Sequence, residues 1–174
     1  EAKTFRYAFQ GDLNALDPYT LNETFTLGAL GNVMEGLTKR DTNLKIIPGL
    51  AERWEISDDG KRWRFYLRKG VKFHNGEDFT ADDVIFSLQR LRSPNSQIKT
   101  RVPDNVKAEK VDDYTVDFIS PVPNPILNAE WDTWYMFSKK WAEANGATEA
   151  QSGTATSLNP FALKENGTGP FTIE

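Results

Sequence analysis

Residues 50–88 read LAERWEISDDGKRWRFYLRKGVKFHNGEDFTADDVIFSL, and two successive hydrophobic patterns run through this segment. In its middle third, Trp63, Phe65 and Leu67 alternate with charged or polar side chains, a period of two that is typical of a strand with one buried face. The sequence Ser-Asp-Asp-Gly at 57–60 supplies turn-forming residues immediately before this strand. The segment therefore predicts a β-hairpin.

A helix is predicted directly after the hairpin. Thr80 can accept a hydrogen bond from the backbone N–H of Asp83, and acidic residues in a first turn suit the positive end of the helix dipole. Apolar residues then follow three- and four-residue spacing at Ala81, Val84, Ile85, Leu88 and Leu91. We expect the aromatic face of the hairpin to pack against this helix in a small α/β subdomain, through Trp54, Trp63, Phe65 and Leu67.

Further elements are predicted on both sides of this segment, and they alternate between strand and helix. They are a strand at Thr4–Phe9, a polar loop at 10–24, a helix at Phe25–Leu37, a short strand pair around 41–43, a hairpin at 106–119, a short strand at Trp134–Phe137, a helix between Ser138 and Gly146, and a strand from Phe171. The fold class predicted from these elements is α/β, of the mixed α+β kind.

Composition excludes several classes of function. The 174 residues carry a net charge of −4, whereas a nucleic-acid-binding protein usually carries the opposite sign. The absence of cysteine excludes disulfides and thiolate sites, and a single histidine, His74, disfavours a histidine-built metal site. No apolar run approaches the roughly 18 residues of a membrane helix.

The residues whose side chains could take part in catalysis or ligand binding have simple structural interpretations. His74 lies before an Asn-Gly turn without a nucleophile motif, and the glycine-rich residues 167–170 lack the Lys-Ser/Thr of a phosphate loop. The basic residues between 61 and 72 alternate with apolar ones, which favours a solvated hairpin face. Paired aspartates lie in turns or at a helix start, which indicates capping. We therefore predict no catalytic residue, no metal site and no cofactor.

An aromatic cluster is the strongest hint of binding. Trp131, Trp134, Tyr135 and Phe137 lie within seven residues, near three prolines and a long polar stretch. If they form a strand, Trp131 and Trp134 face opposite sides, so one ring is available to a cleft. Core packing and ligand contact both remain open for this cluster.

The segment 50–88 closely resembles the signature region of the solute-binding proteins of peptide-type ABC transporters, the extracytoplasmic oligopeptide- and dipeptide-binding family. Three further motifs fit in order: Leu-Asp-Pro at 16–18, Glu-Gly-Leu at 35–37 and Gly-Thr-Gly-Pro-Phe at 167–171. The resemblance covers essentially the whole chain.

This resemblance implies a fold and a domain organisation. The fold is the first lobe of a type II periplasmic-binding-protein architecture with a small inserted α/β subdomain. Members are about three times as long, so the chain resembles an amino-terminal third without the second lobe. The implied limits are 1–45 for a first-lobe segment, 46–165 for the inserted subdomain and 166–174 for the return to the first lobe.

The resemblance also implies a function. It is capture of a peptide or peptide-like solute between two lobes and delivery to the membrane permease subunits of an ABC importer. The location is periplasmic or otherwise extracytoplasmic, with a signal peptide absent from this chain. Alternatives within the family are binders of opines, oligosaccharides or nickel complexes. A hydrolase is disfavoured because no nucleophile or acid–base pair is evident.

Site residues are implied by matching positions. Asn22, Glu23, Thr24 and Phe25 match the family's ligand-contacting segment, and Trp131 matches a ligand-facing position. We expect the loop at 10–25 and Trp131 to share one concave surface. Asn22 stands where an acidic residue can meet a peptide amino terminus, so this sequence departs from the family pattern there.

Overall fold

The computed structural model describes residues 15–153 and 159–173, and it has the mixed α/β composition predicted from the sequence. The strand predicted at Thr4–Phe9 lies outside the described residues. The described helices and strands are, in chain order, α1 (Thr24–Leu30), β1 (Thr38–Arg40), β2 (Ile46–Pro48), β3 (Ala51–Ile56), β4 (Arg62–Leu67), α2 (Ala81–Leu91), β5 (Lys107–Asp112), β6 (Thr115–Ile119) and α3 (Lys139–Asn145).

A four-stranded antiparallel sheet forms the centre of the described structure, in the order β3-β4-β6-β5. Both predicted hairpins are present, and β6 pairs with β4 so that the two hairpins form one sheet. Phe65 lies opposite Trp54 on one side and Val116 on the other, while Trp63 lies opposite Phe118. One face of the sheet therefore carries aromatic and β-branched side chains, as the period of two predicted.

Helix α2 starts with the predicted cap. The Asp83 carboxylate accepts the backbone N–H of Thr80 at 2.9 Å and, through its other oxygen, the backbone N–H of Lys139 at 2.9 Å. Asp83 thus joins the start of α2 to the start of α3. Helix α3 begins at the predicted cap, where Ser138 Oγ accepts the N–H of Trp141, and ends at Gly146.

The packing of α2 differs from the prediction. The helix lies against β5 and β6, whereas the Phe65 ring is surrounded by Trp54, Trp63, Phe118 and Trp131. The reason is the strand order: β6 separates β4 from β5, so a helix over β5 and β6 leaves the aromatic half of the sheet to the segment around Trp131.

Two predicted elements are shorter than expected. The helix predicted to end at Leu37 ends at Leu30, and the strand predicted at Trp134–Phe137 is reduced to a single bridge between Gly36 and Tyr135. A Cβ atom on Gly36 would collide with the Trp131 carbonyl. The chain therefore leaves the helix early because residues 34–36 approach the 131–135 segment at backbone distance.

The glycine-rich segment closes against the residues after α1. Gly169 N–H donates to Val33 O at 2.9 Å, Phe171 N–H donates to Asn32 O at 3.2 Å, and these last described residues form no regular strand. His74 secures the same segment, with Nδ1 at 2.8 Å from Glu165 Oε2 and Nε2 at 2.7 Å from Gly169 O. The structural interpretation of His74 is confirmed. The domain limits at 45 and 165 stay predictions.

None of the helices within residues 15–153 and 159–173 has the length and apolar character needed to cross a bilayer.

Candidate functional site

The loop predicted to contact the solute leads directly into α1. Asn22, Glu23 and Thr24 are exposed and Phe25 is half-buried. The Glu23 carboxylate accepts the hydroxyl of Thr26 at 3.0 Å, so this acid is turned towards its own helix. Three consecutive exposed polar residues at a helix start form a surface that a solute can reach.

A buried ion pair holds the residues that precede this loop. Arg90 of α2 donates Nη1–H to Asp17 Oδ1 at 2.8 Å and Nη2–H to Asp17 Oδ2 at 2.6 Å. Asp17 also accepts the N–H of Tyr19 and the hydroxyl of Thr20, both at 3.0 Å. The residues before the loop are therefore held in place by Asp17, the carboxylate of the Leu-Asp-Pro motif.

The Trp131 ring does not lie on a concave surface. Its exposed fraction is 0%, its ring centroid lies 4.6 Å from that of Phe118, and Trp134 lies at 5.1 Å. The expectation that this ring faces a cleft is wrong. The segment is a 3-10 turn at Trp131–Thr133 and not a strand, so side chains three residues apart share a side and both tryptophans enter the core.

Arg101 connects the candidate loop to the Trp131 segment. Its Nη2–H donates to Asn22 Oδ1 at 3.2 Å and its Nε–H donates to Thr133 Oγ1 at 2.9 Å. Its backbone carbonyl accepts the indole Nε1–H of Trp131 at 2.9 Å. Asn22 and Trp131 are thus brought to the same arginine, although only Asn22 is exposed. Arg101 ends a 3-10 turn at Lys99–Arg101, and no sequence signal singles it out.

Two buried tyrosines support this region. Trp134 Nε1–H donates to the Tyr19 hydroxyl at 3.0 Å, which donates in turn to Tyr135 O at 2.7 Å. The Tyr135 hydroxyl donates to Leu27 O in α1 at 2.6 Å. Burial raises the pKa of Tyr135 to about 12 and raises the pKa of Tyr19 as well. Both phenols therefore stay neutral at physiological pH and act as structural donors.

The remaining charged groups are largely engaged elsewhere. Within the basic stretch, Arg64 pairs with Asp117, Lys72 with Asp78, and Arg68 donates to Gly49 O. This agrees with a hairpin surface. Among the described residues, no group of three or more His, Asp or Glu side chains could hold a metal ion.

Two open grooves lie away from the candidate loop. One, of about 310 Å³, lies between α2 and β5 and includes Ile85 and Ala108 in its lining; the other, of about 430 Å³, surrounds Tyr66 and Tyr114. Neither is lined by residues 22–25.

Comparison with known proteins gives a consistent result. The family described as "Bacterial extracellular solute-binding proteins, family 5 Middle" matches residues 45–174. The chain is 30% identical over 197 residues to the dipeptide-binding protein of Escherichia coli (strain K12), covering 100% of this chain and 36% of that protein. It is 46% identical over 90 residues to heme-binding protein A of Haemophilus influenzae, which covers 41% of this chain and 16% of the relative.

A solved structure shows the same fold. DppA from Helicobacter pylori, in complex with the peptide STSA, superposes with a TM-score of 0.74 at 29% identity, over 92% of this chain and 34% of that chain. The chain thus spans about a third of the length of the Escherichia coli and Helicobacter pylori proteins.

Proposed function

The chain belongs to family 5 of the bacterial extracellular solute-binding proteins, and from this premise we propose that it is part of the solute-binding component of an ABC importer. The protein captures its solute outside the cytoplasmic membrane and delivers it to permease subunits. The family match over residues 45–174 is the observation that carries this proposal.

The proposed solute is a peptide or peptide-like molecule. Two observations support this class: the match of the whole of this chain to 36% of a dipeptide-binding protein, and the similarity to a structure that holds a peptide. Extended peptides are commonly bound through backbone hydrogen bonds, which give affinity without strict side-chain choice. The exposed residues Asn22, Glu23 and Thr24 offer such contacts, and Phe25 adds apolar area. Trp131 contributes to the site indirectly, because its indole N–H donates a hydrogen bond to the backbone carbonyl of Arg101.

A non-peptide solute is the second candidate. The relative with 46% identity over 90 residues is a heme-binding protein, and a further structural neighbour is described in complex with Ni(L-His). This match covers 41% of this chain, whereas the match to the dipeptide-binding protein covers 100% of it, so the peptide class is the first candidate.

Binding without catalysis is part of the proposal. Each ring nitrogen of His74 faces an acceptor, and the buried tyrosines Tyr19 and Tyr135 are committed to backbone carbonyls. The names of the relatives describe binding and not catalysis, which supports this part of the proposal.

Calorimetric titration tests the proposal. The resemblance implies that the solute is held between two lobes, so we expect these 174 residues alone to bind weakly or not at all, and the test uses the protein with both lobes. It is titrated with di- and tripeptides and, separately, with heme and with a nickel–histidine complex. We expect peptides to bind. Phe25→Ala should weaken their affinity about tenfold, because it removes apolar contact with the peptide. Thr42→Ala is the matched control, because Thr42 is an exposed residue of the β1–β2 turn. Binding of heme or the nickel complex without any peptide binding would overturn the peptide assignment in favour of the second candidate.

A further inference from the structure

We propose that Arg101 determines solute specificity at the candidate site by receiving a carboxylate group of the solute. This inference rests on the proposed function and adds to it a requirement for negative charge at one end of the solute.

The guanidinium of Arg101 has unused hydrogen-bond donors. A guanidinium carries five N–H groups in a fixed fork. In Arg101 one, on Nε, donates to Thr133 and one, on Nη2, donates to Asn22. No carboxylate among residues 15–153 and 159–173 lies within ion-pair distance of it. Three N–H groups therefore remain for a ligand at a half-buried position.

Two arginines of limited exposure have a direct carboxylate partner, since Arg90 is paired with Asp17 and Arg64 with Asp117. Arg101 has none, and the half-buried Arg92 donates only to backbone carbonyls. Burial lowers the pKa of Arg101, against the opposing effect of Glu130 and Asp132. Glu130 is exposed and Asp132 is occupied by Arg40, so neither neutralises Arg101 by contact. A partly desolvated cation without a counter-ion gains free energy when an anion binds.

Asn22 occupies the place that a carboxylate can take. Its Oδ1 accepts from Nη2 at 3.2 Å, at the long end of the range for N–H···O hydrogen bonds. A carboxylate oxygen accepts from a guanidinium through shorter, charge-assisted bonds and can accept from two N–H groups at once. Because Asn22 is exposed, its amide can turn into solvent and leave the guanidinium to the solute.

The fork is held in one orientation before any solute arrives. Thr133 fixes Nε, and the Trp131 indole fixes the backbone of Arg101 from the buried side. An arginine whose rotamer is already set loses little conformational entropy on binding. These contacts make Arg101 a preorganised acceptor site for a carboxylate.

The first test measures carboxylate binding at the Arg101 side chain itself and needs no variant. The full chain is titrated with acetate and with acetamide while the ¹⁵N–¹H resonances of the arginine Nε groups are recorded. We expect acetate to shift the Arg101 Nε resonance in a saturable manner and acetamide to leave it unchanged. Absence of any acetate-dependent shift at Arg101 overturns the proposal, whatever peptides do.

The second test measures solute discrimination. Calorimetry compares dialanine with dialanine amide on the wild type, on Arg101→Gln and on Arg62→Gln. Arg62 is an exposed arginine at the start of β4, so Arg62→Gln removes the same charge at a residue outside the candidate site. In the wild type and in Arg62→Gln, we expect the affinity for dialanine to be about 10- to 100-fold higher than the affinity for dialanine amide. In Arg101→Gln we expect the two affinities to be equal.

The two tests separate this proposal from the proposed function. Equal binding of dialanine and its amide to the wild type overturns the role of Arg101 while peptide binding stands. If neither peptide binds but acetate still shifts Arg101, the carboxylate site is supported and the peptide function fails. Circular dichroism of each variant verifies that the comparison is made between folded proteins.

Discussion

Arg90 and Asp17 form a two-point ion pair, at 2.8 and 2.6 Å, with 0% and 1% of their side-chain surface exposed. The guanidinium also donates to the carbonyl of Ala147 and stacks within 4.1 Å of the Phe137 ring centroid. A helix, the loop before the candidate site and the segment after α3 therefore meet at one charge pair.

Removal of the acid from this pair is predicted to destabilise the fold strongly. Asp17→Ala leaves Arg90 charged and buried without a counter-ion, and we expect a loss of about 3–5 kcal/mol in the free energy of unfolding. Chemical denaturation measures it. Glu55→Ala is the matched control, because the Arg53–Glu55 pair is exposed and solvent screening leaves it little effect on stability. Equal losses in both variants would contradict the prediction.

Truncation of Phe65 is predicted to open a cavity at the centre of the sheet. The ring is 0% exposed and is surrounded by four aromatic rings, so Phe65→Ala should lower the free energy of unfolding by about 3–5 kcal/mol. Ile126→Ala removes a side chain that is 71% exposed and should change stability by less than about 0.5 kcal/mol. A loss near zero for Phe65→Ala in the same denaturant series would show that this aromatic core is absent.

A pair of glycine substitutions separates close packing from helix propensity. A Cβ on Gly167 would collide with the Val33 backbone, so Gly167→Ala forces the 165–170 segment away from α1 and should cost about 1–3 kcal/mol. Gly28 lies in α1 with open space around it, and Gly28→Ala should stabilise by about 0.5–1 kcal/mol. Thermal denaturation compares the two, and opposite signs are the expected result.

Alkaline pH is predicted to destabilise the protein in part through Tyr135. Its pKa is raised from 10.0 to about 12, chiefly by burial, so between these values the folded state keeps the phenolic proton while the unfolded chain has lost it. Stability from this group is complete below pH 10 and declines as the pH rises through about 12, by roughly 3 kcal/mol.

The control for this pH effect is a pair of phenylalanine variants. Tyr135→Phe removes one titrating group and should reduce the decline in unfolding free energy above pH 10, and Tyr19→Phe should reduce it as well, because burial also raises the pKa of Tyr19. Urea denaturation from pH 8 to 11.5 provides the slopes. An unchanged slope in Tyr135→Phe would contradict the role given to its burial.

The elements predicted correctly from sequence are those whose signal is local. The alternation of Trp63, Phe65 and Leu67 and the Thr80–Asp83 start of α2 depend on neighbouring residues, and both were found as expected. Which strands α2 lies against depends on the order of the strands in the sheet, and that order is set by contacts between residues far apart in the chain. Periodicity carries no information about that order.

The candidate site was less predictable for the same reason. Residues 22–24 are exposed and Phe25 is half-buried, whereas the Trp131 ring is buried because three-residue spacing on a 3-10 turn differs from alternation on a strand. Arg101 reaches Asn22 across 79 residues of sequence. A single arginine in a short 3-10 turn does not predict such a contact, and only the folded geometry identifies it.

The bonds made by His74 have a consequence for the order of folding. Its partners Glu165 and Gly169 lie 91 and 95 residues later in the chain. Contacts of such long sequence separation form late, since the loop-closure entropy must be overcome first. During synthesis residues 165–169 emerge after the sheet and α2, so they are added to a surface that has already formed. Until they emerge, the Val33 carbonyl and both ring nitrogens of His74 lack these partners and are open to other molecules that bind the nascent chain.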